Sequence, residues 1–449
     1  MKEVHLEIYR KLMYIFVFAL SFSTPSLTPA QGKHFIFNIT PILLGLFLLN
    51  WLVEARFKEK FQRIKEKKWI FPFFTAISFY GICLIGLIYS PHFDLGKADI
   101  LLKLPILLFP LLIFTMDTAM WKPKMPQNLL YTFALGNLFA VFISLIHSFL
   151  LCREVFSIHH FHYINASFFF HPSYASMYYC FSFVIVLYLL INTKMRLWKK
   201  ATTWVMLLLF PAEIVLLDSR TGLFTFAVVI LTFAAYMFVF QWKKRVRFVL
   251  YMSLLMGVLG TTYLLLPQNA NRIMASFHQI QQNRLDESNV KIYQVSDKKE
   301  KMVQLNEDVQ TGKINARAQT WVSAVEVIKE HPVCGVGTGS AKNALMEKYV
   351  AYNLSISQQK ELNAHNQFLQ VTVTLGFIGL AVFMAFLLSL FWIGWKKRNI
   401  LLILFGLIVI INFCTESMLE RQVGVMFFAF FFAVLSYIAL ADLLKHPQE

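Results

Sequence analysis

Apolar runs close to the length of a bilayer recur along this chain. They cover residues 12–22, 35–53, 69–89, 100–116, 129–151, 173–191, 203–217, 223–240, 248–266, 368–392, 400–414 and 423–440. A run of about 20 apolar residues predicts a helix that crosses a membrane, because only a helix satisfies its own backbone in lipid. The pattern predicts an all-α, polytopic integral membrane protein with about 12 transmembrane helices. The first run looks like a signal peptide up to Ala30, but a second span follows at once, so it reads as an uncleaved helix.

One long interval breaks the pattern. Residues 267–365 are polar, with Gln and Asn around 279–283 and mixed charge around 298–301. The chain thus divides into 1–266 with nine spans, a mostly helical insert over 267–365, and 366–449 with three more spans. Within the insert, Trp321, Ala324, Val325 and Ile328 recur at helical spacing, predicting an amphipathic helix over 316–329 that Pro332 ends. Gly335-Val336-Gly337-Thr338-Gly339-Ser340 predicts a turn, and Ser340 an N-cap for a helix through Val350.

Composition agrees. Residues are 57% hydrophobic and 15% charged, with a mean hydropathy of +0.57, too apolar for a soluble chain of this length. The net charge of +17 does not imply nucleic acid as a partner. Its lysines and arginines alternate between loops: 56–68, Lys122 with Lys124, 194–200, 243–247 and 396–398 are basic, whereas the intervening loops are not. Basic loops face the cytoplasm and its anionic lipid. Both termini are then cytoplasmic, and the 267–365 insert is extracytoplasmic. Five scattered cysteines form no zinc spacing and no disulfide framework; Cys152 and Cys334 could share the outer side.

The polar interval carries a specific resemblance. Arg317, Trp321, His331-Pro332, Gly335-x-Gly337-x-Gly339, Ala364-His365-Asn366, Leu369-Gln370 and Gly376-x-x-Gly379-Leu380 stand in an order that resembles the O-antigen ligase and polymerase family of bacterial envelope proteins. The motifs cover the C-terminal half; the N-terminal half matches in hydropathy only. The resemblance implies a glycosyltransferase of the bacterial inner membrane, working at its periplasmic face. It implies a donor glycan on undecaprenyl diphosphate, and lipid A–core or another glycan as acceptor. It implies no cofactor and no metal.

Three residues stand out as catalytic candidates. Arg220, in Leu-Asp-Ser-Arg-Thr-Gly between two spans, is either a snorkelling or Asp218-paired arginine or a diphosphate ligand; a guanidinium offers phosphate a planar fork of donors. Arg317 reads on its own as a helix-end charge, and the resemblance makes it a second diphosphate ligand. His365 stands at the outer mouth of a span. A lone histidine is usually a capping or surface residue, yet it titrates near neutrality and can take a proton from an acceptor hydroxyl, the role the resemblance implies; hydrogen bonding to the diphosphate fits the same position.

Asn366, Gly337, Trp321, His171, Tyr174 and Glu416 are candidate substrate-binding residues. The glycine turn either presents amides to phosphate or is a structural turn. Glu416, Glu420 and Arg421 form an outer turn that binds sugar hydroxyls or pairs within itself. His159, His160 and His162 look like a metal cluster but sit in a loop poor in carboxylate. Lys103 and Glu213 are charges inside spans without an assigned role. The reading is an inverting, metal-independent transfer, with a ligase first, then a polymerase, then a protein O-oligosaccharyltransferase. The different-class alternative, a lipid-linked glycan transporter or flippase, is expected to place its polar site near the membrane midplane.

Overall fold

The computed structural model describes residues 2–22, 38–65, 67–155, 166–241, 246, 248–253 and 316–444. Among them every regular element is a helix. We number them α1 (Lys2–Leu20), α2 (Thr40–Glu54), α3 (Phe57–Ile64), α4 (Lys67–Ile88), α5 (Phe93–Lys103), α6 (Pro105–Thr115), α7 (Met125–Val155), α8 (Pro172–Asn192), α9 (Leu197–Leu216) and α10 (Arg220–Phe240). After the undescribed stretch come α11 (Arg317–Glu330), α12 (Ala341–Ala351), α13 (Ser355–Gln359), α14 (Gln367–Lys397), α15 (Ile400–Phe413) and α16 (Gln422–Leu440). The helix expected over 316–329 is α11, shifted by one residue. Of the expected insert, the described part is helical, and residues 267–315 lie outside the described residues, as do His159, His160 and His162.

Seven helices among the described residues are long and apolar enough to cross a membrane, or eight if α2 and α3 count as one span bent by 113°. The hydrophobic pattern gave about twelve. The difference has local causes: α1 carries Lys2, Glu3, Glu7, Arg10 and Lys11, α2 is long enough only with α3, α9 carries Lys199, Lys200 and Glu213, α15 is short, and the 248–266 run is described only to residue 253. α5 and α6 act together as one span, Phe93–Thr115, which Pro105 at the start of α6 does not break.

α8 and α16 form the centre, each 94% buried over its apolar window, whereas α10 at 28% lies at the periphery. Lipid is as apolar as leucine, so shape fit rather than the hydrophobic effect holds such helices together. Here the fit is aromatic. Tyr178 stacks on Phe427 with centroids 4.4 Å apart, and Phe431 meets Phe133 and Phe181 edge-on at 4.7 and 4.8 Å.

Charge is segregated to the two ends of the bundle. At one end Asp117 binds Lys2 at 2.6 Å and Arg63 at 3.1 Å, buried Arg10 donates to the carbonyls of Ala119 and Met120, and Lys397 binds Asp442 at 2.7 Å. α7 and α14 run from one end to the other. α14 starts beside His365 and finishes at Lys396 and Lys397, so the candidate site lies at the end opposite these basic groups.

α14 is broken at Gly376, which has φ 66°. A break frees backbone groups that lipid cannot satisfy. The 332–337 segment takes them up: Val336 and Gly337 donate to the carbonyls of Val373 and Thr374, and Phe377 and Ile378 donate to those of Pro332 and Val333. Backbones meet so closely that a Cβ on Gly376 would lie 2.1 Å from the Val333 oxygen, and one on Gly335 2.5 Å from the Leu375 nitrogen. Thr338 then donates to the Gly86 carbonyl at the end of α4.

Candidate functional site

The site is built where the start of α14 meets the turn between α15 and α16. Asn366 caps α14, its side-chain oxygen accepting from the amides of Phe368 at 2.9 Å and Leu369 at 3.1 Å. Its amide nitrogen Nδ2 donates to the Cys414 carbonyl, and its backbone N–H donates to Ser417 Oγ at 3.2 Å. One asparagine therefore both starts the helix and fastens the 414–417 turn to it. His365 precedes this cap with φ 45°, a left-handed conformation uncommon for a residue with a Cβ. The Asn363 side chain, accepting from the His365 N–H at 3.0 Å, helps to hold it there.

This geometry aims His365 at Glu416. Nδ1 lies 3.0 Å from Glu416 Oε2, and Arg317 Nη2 lies 2.9 Å from the other carboxylate oxygen, Oε1. The Glu416 side chain is 11% exposed, His365 23% and Arg317 34%. Burial pushes the Glu416 carboxyl up, but the hydrogen bond and charge of His365 with the charges of Arg317 and His171 outweigh it, holding the group below the usual carboxylate range. An ionised Glu416 accepts from Nδ1–H, which fixes the neutral tautomer whose Nε2 is the acceptor nitrogen.

His171 caps α8, its Nδ1 accepting from the Ser173 N–H at 3.4 Å. Burial lowers its pKa; Glu416 opposes this, while Arg421, Arg317 and His365 add to it. Those influences place His171 in the same electrostatic neighbourhood. Tyr174, one turn on, is 5% exposed and is also within the field of Glu416 and Arg421. Arg220 opens α10 and is exposed. Its neighbour Ser219 caps the helix by accepting from the Gly222 amide at 3.1 Å and meets Ser176 of α8 at 3.4 Å. α10 is thus tied to the His171 end of α8, but Arg220 is not among the residues touching Glu416.

Two expected site features stand elsewhere. Trp321, one turn after Arg317, points outward and is 40% exposed. The Gly337 amide is directed at the Thr374 carbonyl, about 12 Å along α14 from Asn366 at 1.5 Å per residue. In this arrangement the glycine turn closes the break in α14. Ser340 starts α12 as expected, but its hydroxyl lies across at Ser90 Oγ, 2.8 Å away, and His92 Nδ1, 3.2 Å away.

The outer turn does not pair within itself. Glu416 joins His365 and Arg317, while Glu420 binds the buried Lys103 of α5 at 3.1 Å. Sequence reasoning named Glu416 for sugar hydroxyls and missed its place between the other two. Their separation along the chain, 51 residues from His365 and 99 from Arg317, carries no periodic signal. Among the described residues no group of three His, Cys, Asp or Glu side chains is placed to hold a metal ion.

A protein-family model described as O-antigen ligase matches residues 204–384. The match covers less than half of the chain, and over that part the chain is similar to O-antigen ligases. It takes in Arg220, Arg317, Trp321, Gly337, His365 and Asn366, and stops short of Glu416. No curated protein matches the chain.

Proposed function

We propose that this chain, as a protein of the O-antigen ligase/polymerase family, transfers a glycan from undecaprenyl diphosphate to an acceptor hydroxyl at the outer face of the inner membrane. The observation that carries the reading is the Glu416 carboxylate shared between His365 and Arg317. It brings an imidazole and a guanidinium to the two oxygens of one carboxylate, which supports reading them as a base and a phosphate ligand. His365 Nε2 takes the proton of the acceptor hydroxyl. Glu416 keeps the imidazole in the tautomer that can do so and stabilises the imidazolium that results, the logic of any oriented histidine base.

The acceptor oxygen attacks the anomeric carbon, the carbon–oxygen bond to the diphosphate breaks, and undecaprenyl diphosphate leaves with the bonding pair. One displacement inverts the anomeric centre. Arg317 and Arg220 hold the departing diphosphate, whose charge grows as the bond breaks. The leaving group is already good, so positioning and charge stabilisation supply most of the rate. His171, Tyr174 and Asn366 near this centre supply sugar contacts, and the outward-pointing Trp321 a lipid or glycan contact at its margin. Lipid A–core is the preferred acceptor. A second lipid-linked glycan, making the protein a polymerase, ranks next, and a protein hydroxyl after that.

The test is His365→Ala expressed in a strain lacking the native gene, with surface polysaccharide resolved on a gel. The expected result is loss of the polysaccharide at normal protein abundance, a rate drop of roughly 10²–10⁴. Long chains accumulating on the carrier identify a ligase; single repeats on lipid A–core identify a polymerase. Normal surface glycan overturns the reading. Loss of function on Glu213→Gln instead would favour a transporter.

A further inference from the structure

A buried cluster of charge lies beside the site and takes no part in the chemistry above. Lys103, the last residue of α5, is 4% exposed. Its ammonium contacts the Asp99 carboxylate one turn earlier on the same helix and the Glu420 carboxylate at 3.1 Å. An ammonium at this depth is costly unless paired and is seldom kept without a role. Its second partner is the informative one, because Glu420 belongs to the turn that carries Glu416.

That turn is fastened to the start of α14 at three points. The Cys414 carbonyl accepts from Asn366 Nδ2, Ser417 Oγ accepts from the Asn366 N–H, and the Leu419 N–H donates to Gln367 Oε1 at 2.7 Å. All three come from Asn366 and Gln367 at the start of α14. Beside the Arg317–Glu416 pair from α11, Lys103–Glu420 ties the same turn to α5. Glu416 lies four residues before Glu420, on the far side of the Ser417 fastening, facing His365 and Arg317.

We infer that Lys103 is a positioning residue, which by pinning Glu420 sets the place of Glu416 between His365 and Arg317. The inference rests on the function proposed above. Without the ammonium, Asp99 and Glu420 face one another as like charges in a buried space, and the turn moves away from α5. Glu416 moves with it, and the His365 tautomer is no longer fixed. The lysine is not among the residues assigned to the donor or the acceptor, so the loss falls chiefly on kcat.

The experiment uses the full-length protein in nanodiscs with a lipid-linked glycan donor and measures kcat and KM. Lys103→Met is expected to lower kcat about tenfold or more, with KM changed less than twofold, and Lys103→Arg to recover most of the activity. Because Lys103→Met leaves two buried carboxylates unpaired, a second variant, Lys103→Met with Asp99→Asn and Glu420→Gln, removes the charge conflict while still removing the pin. It is expected to reach normal abundance with kcat still low. In a double-mutant cycle, adding Lys103→Met to Glu416→Gln is expected to cost little beyond Glu416→Gln alone, since both act through one group. Wild-type kcat in the triple variant overturns the inference, as do losses that multiply in the cycle. Full activity of His365→Ala in the same assay identifies failure of the underlying function instead.

Discussion

At the scale of single residues the site turns on one carboxylate. Glu416 is nearly buried, yet its carboxyl is held below the ordinary range by His365 and Arg317. A group with a depressed native pKa stabilises the fold fully above its unfolded value, about 4.3, and loses that contribution as pH falls through the native value. Glu416→Gln lacks it. The melting-temperature difference between wild type and Glu416→Gln is therefore expected to be present at about pH 5 and to shrink on acidification below the unfolded value. A difference that persists unchanged at acid pH would show that the ion pairs carry no stability. In the transfer assay the same substitution should lower kcat roughly 10²-fold or more, because an amide does not hold the imidazolium as a carboxylate does.

This scale also marks how far the sequence could be read. His365 and Arg317 were identifiable because each stands in a compact motif with its neighbours. Glu416 was legible only as a sugar-binding candidate in an outer turn, and Lys103 only as a charge inside a span. Their meaning comes from partners 51 and 317 residues away, and no local pattern encodes such a pairing. The left-handed backbone at His365 was likewise hidden, since histidine is no signal for positive φ.

At the scale of elements the lesson lies in α14. Its sequence reads as an unbroken apolar span, and Gly376 looks like any glycine tolerated in a membrane helix. In the fold it is where the helix opens and the 332–337 segment pairs with the freed backbone. A glycine-rich turn suggests a phosphate cradle by composition; here close approach of two backbones explains its glycines. Substitution separates these roles. Gly376→Ala forces a methyl against the Val333 carbonyl at φ 66° and should cost about 2–4 kcal/mol from strain and clash together. Thermal unfolding in detergent measures it, with Gly45→Ala as control: a Cβ there meets nothing within 4 Å, so that change should be neutral or stabilise α2 by up to about 1 kcal/mol. Equal melting temperatures for the two variants would remove the clamp from the account.

At the scale of the whole molecule the distribution of charge gives an orientation that can be measured. The groups around Asp117 and Lys397 gather at one end of the bundle, and His365, Glu416, Arg317 and the glycine turn gather at the other. The rule that basic loops stay in the cytoplasm predicts that the site faces outward, the side on which the proposed transfer would take place. The native cysteines supply a probe. Cys334, in the glycine-turn segment, is exposed, Cys83 and Cys180 are buried, and Cys414 is exposed beside Glu416. In a background with Cys152 and Cys414 replaced by serine, a membrane-impermeant maleimide applied to spheroplasts should label Cys334 without permeabilisation. Lys122→Cys, at an exposed position of the basic end, made with Cys334 also replaced by serine, should label only after the membrane is opened. Outside labelling at Lys122→Cys with protection of Cys334 would invert the protein. The site would then face the cytoplasm, and transfer from a lipid-linked donor at the outer face would be untenable even with the Glu416 geometry intact.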